Sequence, residues 1–117
     1  MTKKILIIED DNDNLEIMTY ILREEGYEVL TSADSSLLLD IHQYKPNLIL
    51  LDNKLKDSSG HEICKKFKAE PATAAYPIIL VSAHIELEAL AKDSQADGYL
   101  EKPYSIDALI AIVKKFA

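Results

Sequence analysis

Four segments of this 117-residue chain end in side chains suited to phosphate or to a hard cation. Ile5-Leu-Ile-Ile is followed by Glu9-Asp10-Asp11, Leu48-Ile-Leu-Leu by Asp52, Ile78-Ile-Leu-Val by Ser82, and Gly98-Tyr-Leu-Glu by Lys102. Each alone has an ordinary explanation, because acidic residues favour helix starts, Asp and Ser favour turns, and a single Lys is usually solvated. Brought together, they describe a phosphoryl-transfer site. Two carboxylates 4 Å apart repel by about 4 kcal/mol at an effective dielectric of about 20. A cation must offset this, and Mg2+ suits the set: it takes one or two protein carboxylates, keeps several waters and accepts phosphate oxygen. A carboxylate beside it can attack phosphorus as a nucleophile. Asp52 is the candidate for that role, since it follows the most continuous apolar run and is held by packing. Lys102 would pair with a phosphoryl oxygen, and the Ser82 hydroxyl would donate to another. Asp11 is read only as a favourable charge at a helix start.

These residues need a scaffold that gathers four segment ends. The stretch 4–9 reads as a β-branched strand, and Leu15, Met18, Ile21 and Leu22 are spaced for one face of a following helix. Asn12 or Asp13 can cap that helix, with Glu16 three residues past Asp13 as in a capping box, and Gly26 ends it. Residues 27–31 read as a strand, 35–44 as a helix, and Pro46-Asn47 as a turn. The run at 48–51 suits a strand buried on both faces, at the centre of a sheet. Gly60–Ala69 reads as a helix with Ile63, Cys64 and Phe67 inward, and Pro71 and Pro77 bracket the connection to a strand at 78–81. A helix at 85–94, a strand at 98–101 and a last helix with Ile106, Leu109, Ile110 and Val113 on one face complete the pattern. Such alternation predicts an α/β, flavodoxin-like doubly wound (βα)5 fold: a five-stranded parallel sheet of order 2-1-3-4-5 with helices on both faces. Its ligands bind outside the carboxyl ends of the strands, where the four polar segment ends fall.

Length and composition fit one domain, residues 1–117, with 48% hydrophobic and 28% charged residues. The formal net charge of −7 disfavours direct nucleic-acid binding, which needs clustered Lys and Arg. The apolar runs at 5–8 and 48–51 fall far short of a membrane span or signal-peptide core, so a cytoplasmic protein without a membrane partner is expected. Cys64 has no cysteine partner and reads as a small core residue. His42, His61 and His84 are scattered over separate elements, which argues against a softer metal; His42 and His61 read as surface or partly buried side chains.

In the segments Ile5-Leu-Ile-Ile-Glu-Asp10, Leu48-Ile-Leu-Leu-Asp52 with Gly60 eight residues on, Ile79-Leu-Val-Ser-Ala83 and Gly98-Tyr-Leu-Glu-Lys-Pro103, the chain resembles the receiver domain of two-component response regulators over essentially its whole length. The resemblance implies phosphorylation of Asp52, with Mg2+ held by Glu9, Asp10, Asp52 and the Lys54 backbone carbonyl. It makes Lys102 the phosphoryl contact, Ser82 and Tyr99 the switch residues, and the fourth helix, fifth strand and fifth helix the responding surface. It also implies a cis Lys102-Pro103 peptide. Such a domain catalyses its own phosphorylation and dephosphorylation without being a conventional turnover enzyme. Its phosphodonor would be a sensor histidine kinase, a phosphotransfer protein or a small phosphodonor, its output an unidentified downstream protein, and a phosphorylation-dependent dimer fits the same family. The loop after Asp52 departs from the pattern, with Lys54 unusual in its charge and Lys56 where proline is common. Lys54 and His84, each two residues past a site residue, are candidates for control of phosphoryl lifetime.

Other readings fit less well. A haloacid-dehalogenase-type phosphatase needs a second carboxylate where Lys54 stands, and a flavodoxin-like cofactor binder needs a phosphate-cradling loop where Glu9-Asp10-Asp11 would repel phosphate. A phosphorylation-independent interaction module of the same fold is the alternative that a phosphodonor assay separates.

Overall fold

The computed structural model describes residues 2–117. β1 (Lys4–Ile8), β2 (Glu28–Ser32), β3 (Leu48–Asp52), β4 (Ile78–Ser82) and β5 (Gly98–Glu101) form one parallel sheet in the order β2-β1-β3-β4-β5. The helices are α1 (Asn12–Glu24), α2 (Ile41–Tyr44), α3 (Gly60–Ala69), α4 (Leu87–Ser94) and α5 (Ile106–Phe116). The expected fold and strand order are therefore those observed.

The continuous apolar runs make sense as two faces read alternately. Ile5, Ile7, Leu48, Leu50, Ile79 and Val81 point to one side, where they meet Met18 and Leu22 of α1 and Leu109 and Val113 of α5. Leu6, Ile8, Ile49, Leu51, Ile78 and Leu80 point to the other, against Ile41, Cys64, Leu87 and Ala91 of α2, α3 and α4. Every residue of β3 is buried, as befits the central strand. At about 1.5–3 kcal/mol for each fully buried Leu or Ile, these runs hold the strand ends far more firmly than any contact among the polar residues at the rim.

Five local expectations need correction. The cap of α1 is Asp11, whose carboxylate accepts from the Asp13 and Asn14 amides, and neither Asn12 nor Asp13. Gly26, with φ of +93°, turns the chain after α1 as expected, and β2 lies one residue later than the stretch at 27–31. Residues 35–44 are not one helix but a 3-10 turn, Ser35–Asp40, followed by short α2. There Ser32, Asp34 and Ser35 commit their side chains to local bonds and to Asp57, chemistry that competes with α-helical bonding. α4 begins at Leu87, because the His84 ring and carbonyl accept from the Glu86 and Leu87 amides and hold Ile85 outward. In α5 the inward face is Leu109, Ile112, Val113 and Phe116; Ile106 is exposed and Ile110 lies outside the cluster.

Candidate functional site

The sheet register sets the site. Ile8 pairs with Leu51, so Glu9, the next residue on β1, comes beside Asp52 at the end of β3. Ser82 pairs with Glu101, and the Lys102 amide donates to the Ser82 carbonyl, so the lysine leaves the sheet at the same rim. The turns after β1 and β5 therefore converge on Asp52. Glu9, Asp10 and Asp52 each place a carboxylate oxygen within 4.8 Å of the others. Lys102 Nζ lies 2.9 Å from Glu9 Oε1 and 3.5 Å from Asp52 Oδ1. The Ser82 hydroxyl, buried, accepts from the His84 amide at 3.0 Å and keeps its own proton free to donate. Glu9, Asp10, Asp52, Lys54, Ser82 and Lys102 line one cleft of about 680 Å³. A hollow of similar size over the outer side of α1 holds none of them.

Electrostatics make this an unbalanced site. Burial, followed by a shared hydrogen bond with Glu9 and the charge of Glu9, pushes the Asp52 carboxyl up to about 7; Asp10 adds to the rise and Lys102 opposes it. Burial alone would lower the Lys102 ammonium, but its bond to Glu9 and the charges of Asp52 and Glu9 outweigh that and hold it above the usual lysine value. Glu9 Oε2 is buried with no hydrogen-bond partner. Lys102 thus bonds two of the three clustered carboxylates and leaves a buried acceptor unsatisfied, which is the environment that a hard divalent cation would complete. Among the described residues no other cluster of this kind occurs.

The loop after β3 is ordered without a proline at Lys56. Leu55 is buried in the core, its amide donates to the Ser58 carbonyl, Lys54 bridges to Ser59, and Asp57 Oδ2 accepts from Ser35 Oγ at 2.6 Å. Gly60 is required by close approach: a Cβ there would sit 2.5 Å from the Asp52 carbonyl oxygen. Its amide donates to the Asn53 carbonyl, and the Asn53 side chain accepts from the His61 amide. The sequence reading overlooked Asn53, which stands seven residues before the start of α3, beyond the local spacing at which an Asn side chain ordinarily bonds the backbone. It also overlooked Tyr104, whose phenol burial pushes up beside Lys102, Glu9 and Asp52. The Lys102-Pro103 peptide is cis. Of the expected residues, Tyr99 alone stands apart: it lies on β5 opposite Leu80, 40% exposed and outside the cleft lining.

The family model described as the response regulator receiver domain matches residues 5–114. This chain is a response regulator receiver domain. It is 39% identical to the nisin biosynthesis regulatory protein NisR of Lactococcus lactis subsp. lactis and 31% identical to the DNA-binding response regulator MtrA of Mycolicibacterium smegmatis, in each case over 97% of the chain and 50% of the relative. The receiver domain spans about half the length of these curated relatives. A two-component response regulator from Clostridium difficile has the same fold, with a TM-score of 0.87 and 30% identity over 98% of this chain and 95% of that one. Two-component signal transduction is accordingly the setting of this receiver domain. No helix among the described residues is long and apolar enough to cross a membrane.

Proposed function

We propose that the domain takes a phosphoryl group on Asp52 with Mg2+ bound by Glu9, Asp10, Asp52 and the Lys54 carbonyl, and that Ser82 and Tyr99 convert this into a change at α4, β5 and α5. The observation that carries the proposal is the three-carboxylate cluster with a buried, unpartnered Glu9 oxygen and a single lysine. The cation would neutralise charge on the transferring group. The residues do the rest. An Asp52 oxygen forms the new bond to phosphorus, the bond from phosphorus to the donor oxygen or nitrogen breaks, and its electron pair leaves with the donor. Lys102, already placed between Glu9 and Asp52, moves its bond to a phosphoryl oxygen, and the Ser82 hydroxyl donates a hydrogen bond to another. The buried β3 and β4 backbones hold the acceptor and reporter still while this happens.

A sensor histidine kinase, a phosphotransfer protein or a small phosphodonor is the phosphoryl source in this reading, and a downstream protein or a second copy of the chain is the recipient of the signal. The test is intact mass after incubation with acetyl phosphate and Mg2+. Wild type should gain one phosphoryl group and Asp52→Asn none; a wild-type chain that stays unmodified would favour a phosphorylation-independent interaction module instead.

A further inference from the structure

α3 turns a polar seam toward α4. His61, Cys64, Lys65 and Lys68, spaced i, i+3, i+4 and i+7, share one helix face. His61 Nε2 lies 2.7 Å and Lys65 Nζ 3.3 Å from Asp93 Oδ2, Cys64 Sγ is 3.6 Å from the Ser94 carbonyl, and Lys68 Nζ is 2.8 Å from Asp97 Oδ2. The far end of the seam is sewn into the sheet, since Lys68 also donates to the Ala74 and Tyr76 carbonyls and Asp97 also accepts from the Ile78 amide. The near end reaches the cleft. The His61 amide donates to Asn53 Oδ1 at 2.9 Å, and Asn53 is the residue after Asp52. One residue is therefore bonded through its main chain to the residue that follows the phosphoacceptor and through its ring to the last turn of α4. The ring is largely buried, at 16% side-chain exposure, with Glu62 Oε1 3.7 Å from Nδ1.

We propose that His61 is a positioning residue that ties the last turn of α4 to the peptide following Asp52, giving the site a route to α4 that bypasses Ser82. The proposal rests on the phosphoacceptor reading of Asp52. The Ser82 route enters α4 at its other end: the His84 amide donates to Ser82 Oγ and the His84 ring accepts from the Glu86 amide. Two histidines thus hold the two ends of one helix, and only the His84 end answers directly to the Ser82 hydroxyl. A displacement of Asn53 passes to His61 through the side-chain bond to its amide, and from the ring to Asp93 through the short Nε2 contact.

Hydrogen–deuterium exchange on the full chain, before and after acetyl phosphate and Mg2+, tests this with His61→Leu, His61→Gln, Asp93→Ala and Ser82→Ala. In the unmodified protein, amides 91–94 should exchange about tenfold faster in His61→Leu and Asp93→Ala, the effect of one charge-assisted hydrogen bond, while amides 87–88 stay unchanged. His61→Gln, which retains a side-chain N–H, should restore most of the protection. On phosphorylation, the change at 91–94 should persist in Ser82→Ala and vanish in His61→Leu at equal phosphoryl uptake by intact mass. Asp93→Ala, at an exposed helix position, gives the same answer if His61→Leu does not fold. Wild-type exchange at 91–94 in both His61→Leu and Asp93→Ala, or an undiminished phosphorylation response there, overturns the proposal. A wild type that takes no phosphoryl group overturns the reading of Asp52 and the transmission with it, whereas the tie itself is decided by the unmodified protein.

Discussion

Asp52→Asn should stabilise the metal-free protein, and by an amount that depends on pH. The Asp52 carboxyl is raised from its ordinary 3.8 to about 7. Its folded-state value lies above its unfolded one, so its stabilising contribution is fully present below about pH 4 and is lost as pH rises through about 7. A shift of about three units corresponds to about 4 kcal/mol at 1.36 kcal/mol per unit. Asp52 is only 6% exposed, but it lines an open cleft whose water screens it, and about 2 kcal/mol is the appropriate figure. Asn carries no charge and escapes this loss. With an unfolding entropy of about 0.25 kcal/mol/K for a chain of this length, the variant should melt about 8 °C above wild type at pH 8 and only slightly above it at pH 4.5. Thermal denaturation at the two pH values, in chelator and then in Mg2+, measures this. Mg2+ should raise wild type most at pH 8 and narrow the gap. A melting difference that stays constant from pH 4.5 to pH 8 would refute the claim that the site is electrostatically strained.

Gly60→Ala should lose about 1–3 kcal/mol in denaturant titration and phosphorylate more slowly, because its Cβ would press on the Asp52 carbonyl oxygen and on Asn53 Cα at 2.9 Å. Ser82→Ala should cost about 1 kcal/mol, since the His84 amide loses its acceptor, and should still take phosphate while showing a smaller NMR shift response at Tyr99; a full response would remove Ser82 as the reporter. Lys54→Glu places a proton acceptor on the cleft wall, so decay of the phosphorylated protein should quicken on the order of tenfold, and unchanged decay would remove Lys54 from lifetime control.

What the sequence revealed and what it hid divide along physical lines. Period-two burial on both faces produces unbroken apolar runs, so β1, β3 and β4 were legible, and with them the placing of Glu9, Asp10, Asp52 and Ser82 at one rim; Lys102 follows the half-exposed β5 and was found only from its place in the βα order. The α1 cap was ambiguous because four acids and two amides follow β1 within six residues, and which of them caps depends on backbone angles that composition does not carry. Ile106, Leu109, Ile110, Ile112 and Val113 allow more than one apolar face, and packing of Phe116 and Val113 against the sheet chooses. His61 was read as a bystander, for its meaning lies in the spacing to Cys64 and Lys65 and in an Asp on a different helix. The 3-10 turn at Ser35–Asp40 depends on a partner, Asp57, that is distant in sequence.

The central claim is that Asp52 is the phosphoacceptor. Borohydride reduces an acyl phosphate on an aspartyl side chain to homoserine, so trapping after acetyl phosphate and Mg2+, followed by peptide mass mapping, reads the acceptor position directly. The structure predicts conversion at Asp52 alone, abolished by chelator and weakened in Asp10→Asn, where the cluster loses a charged oxygen. Conversion at Asp10, Asp11 or any other carboxylate with Asp52 left intact would contradict it.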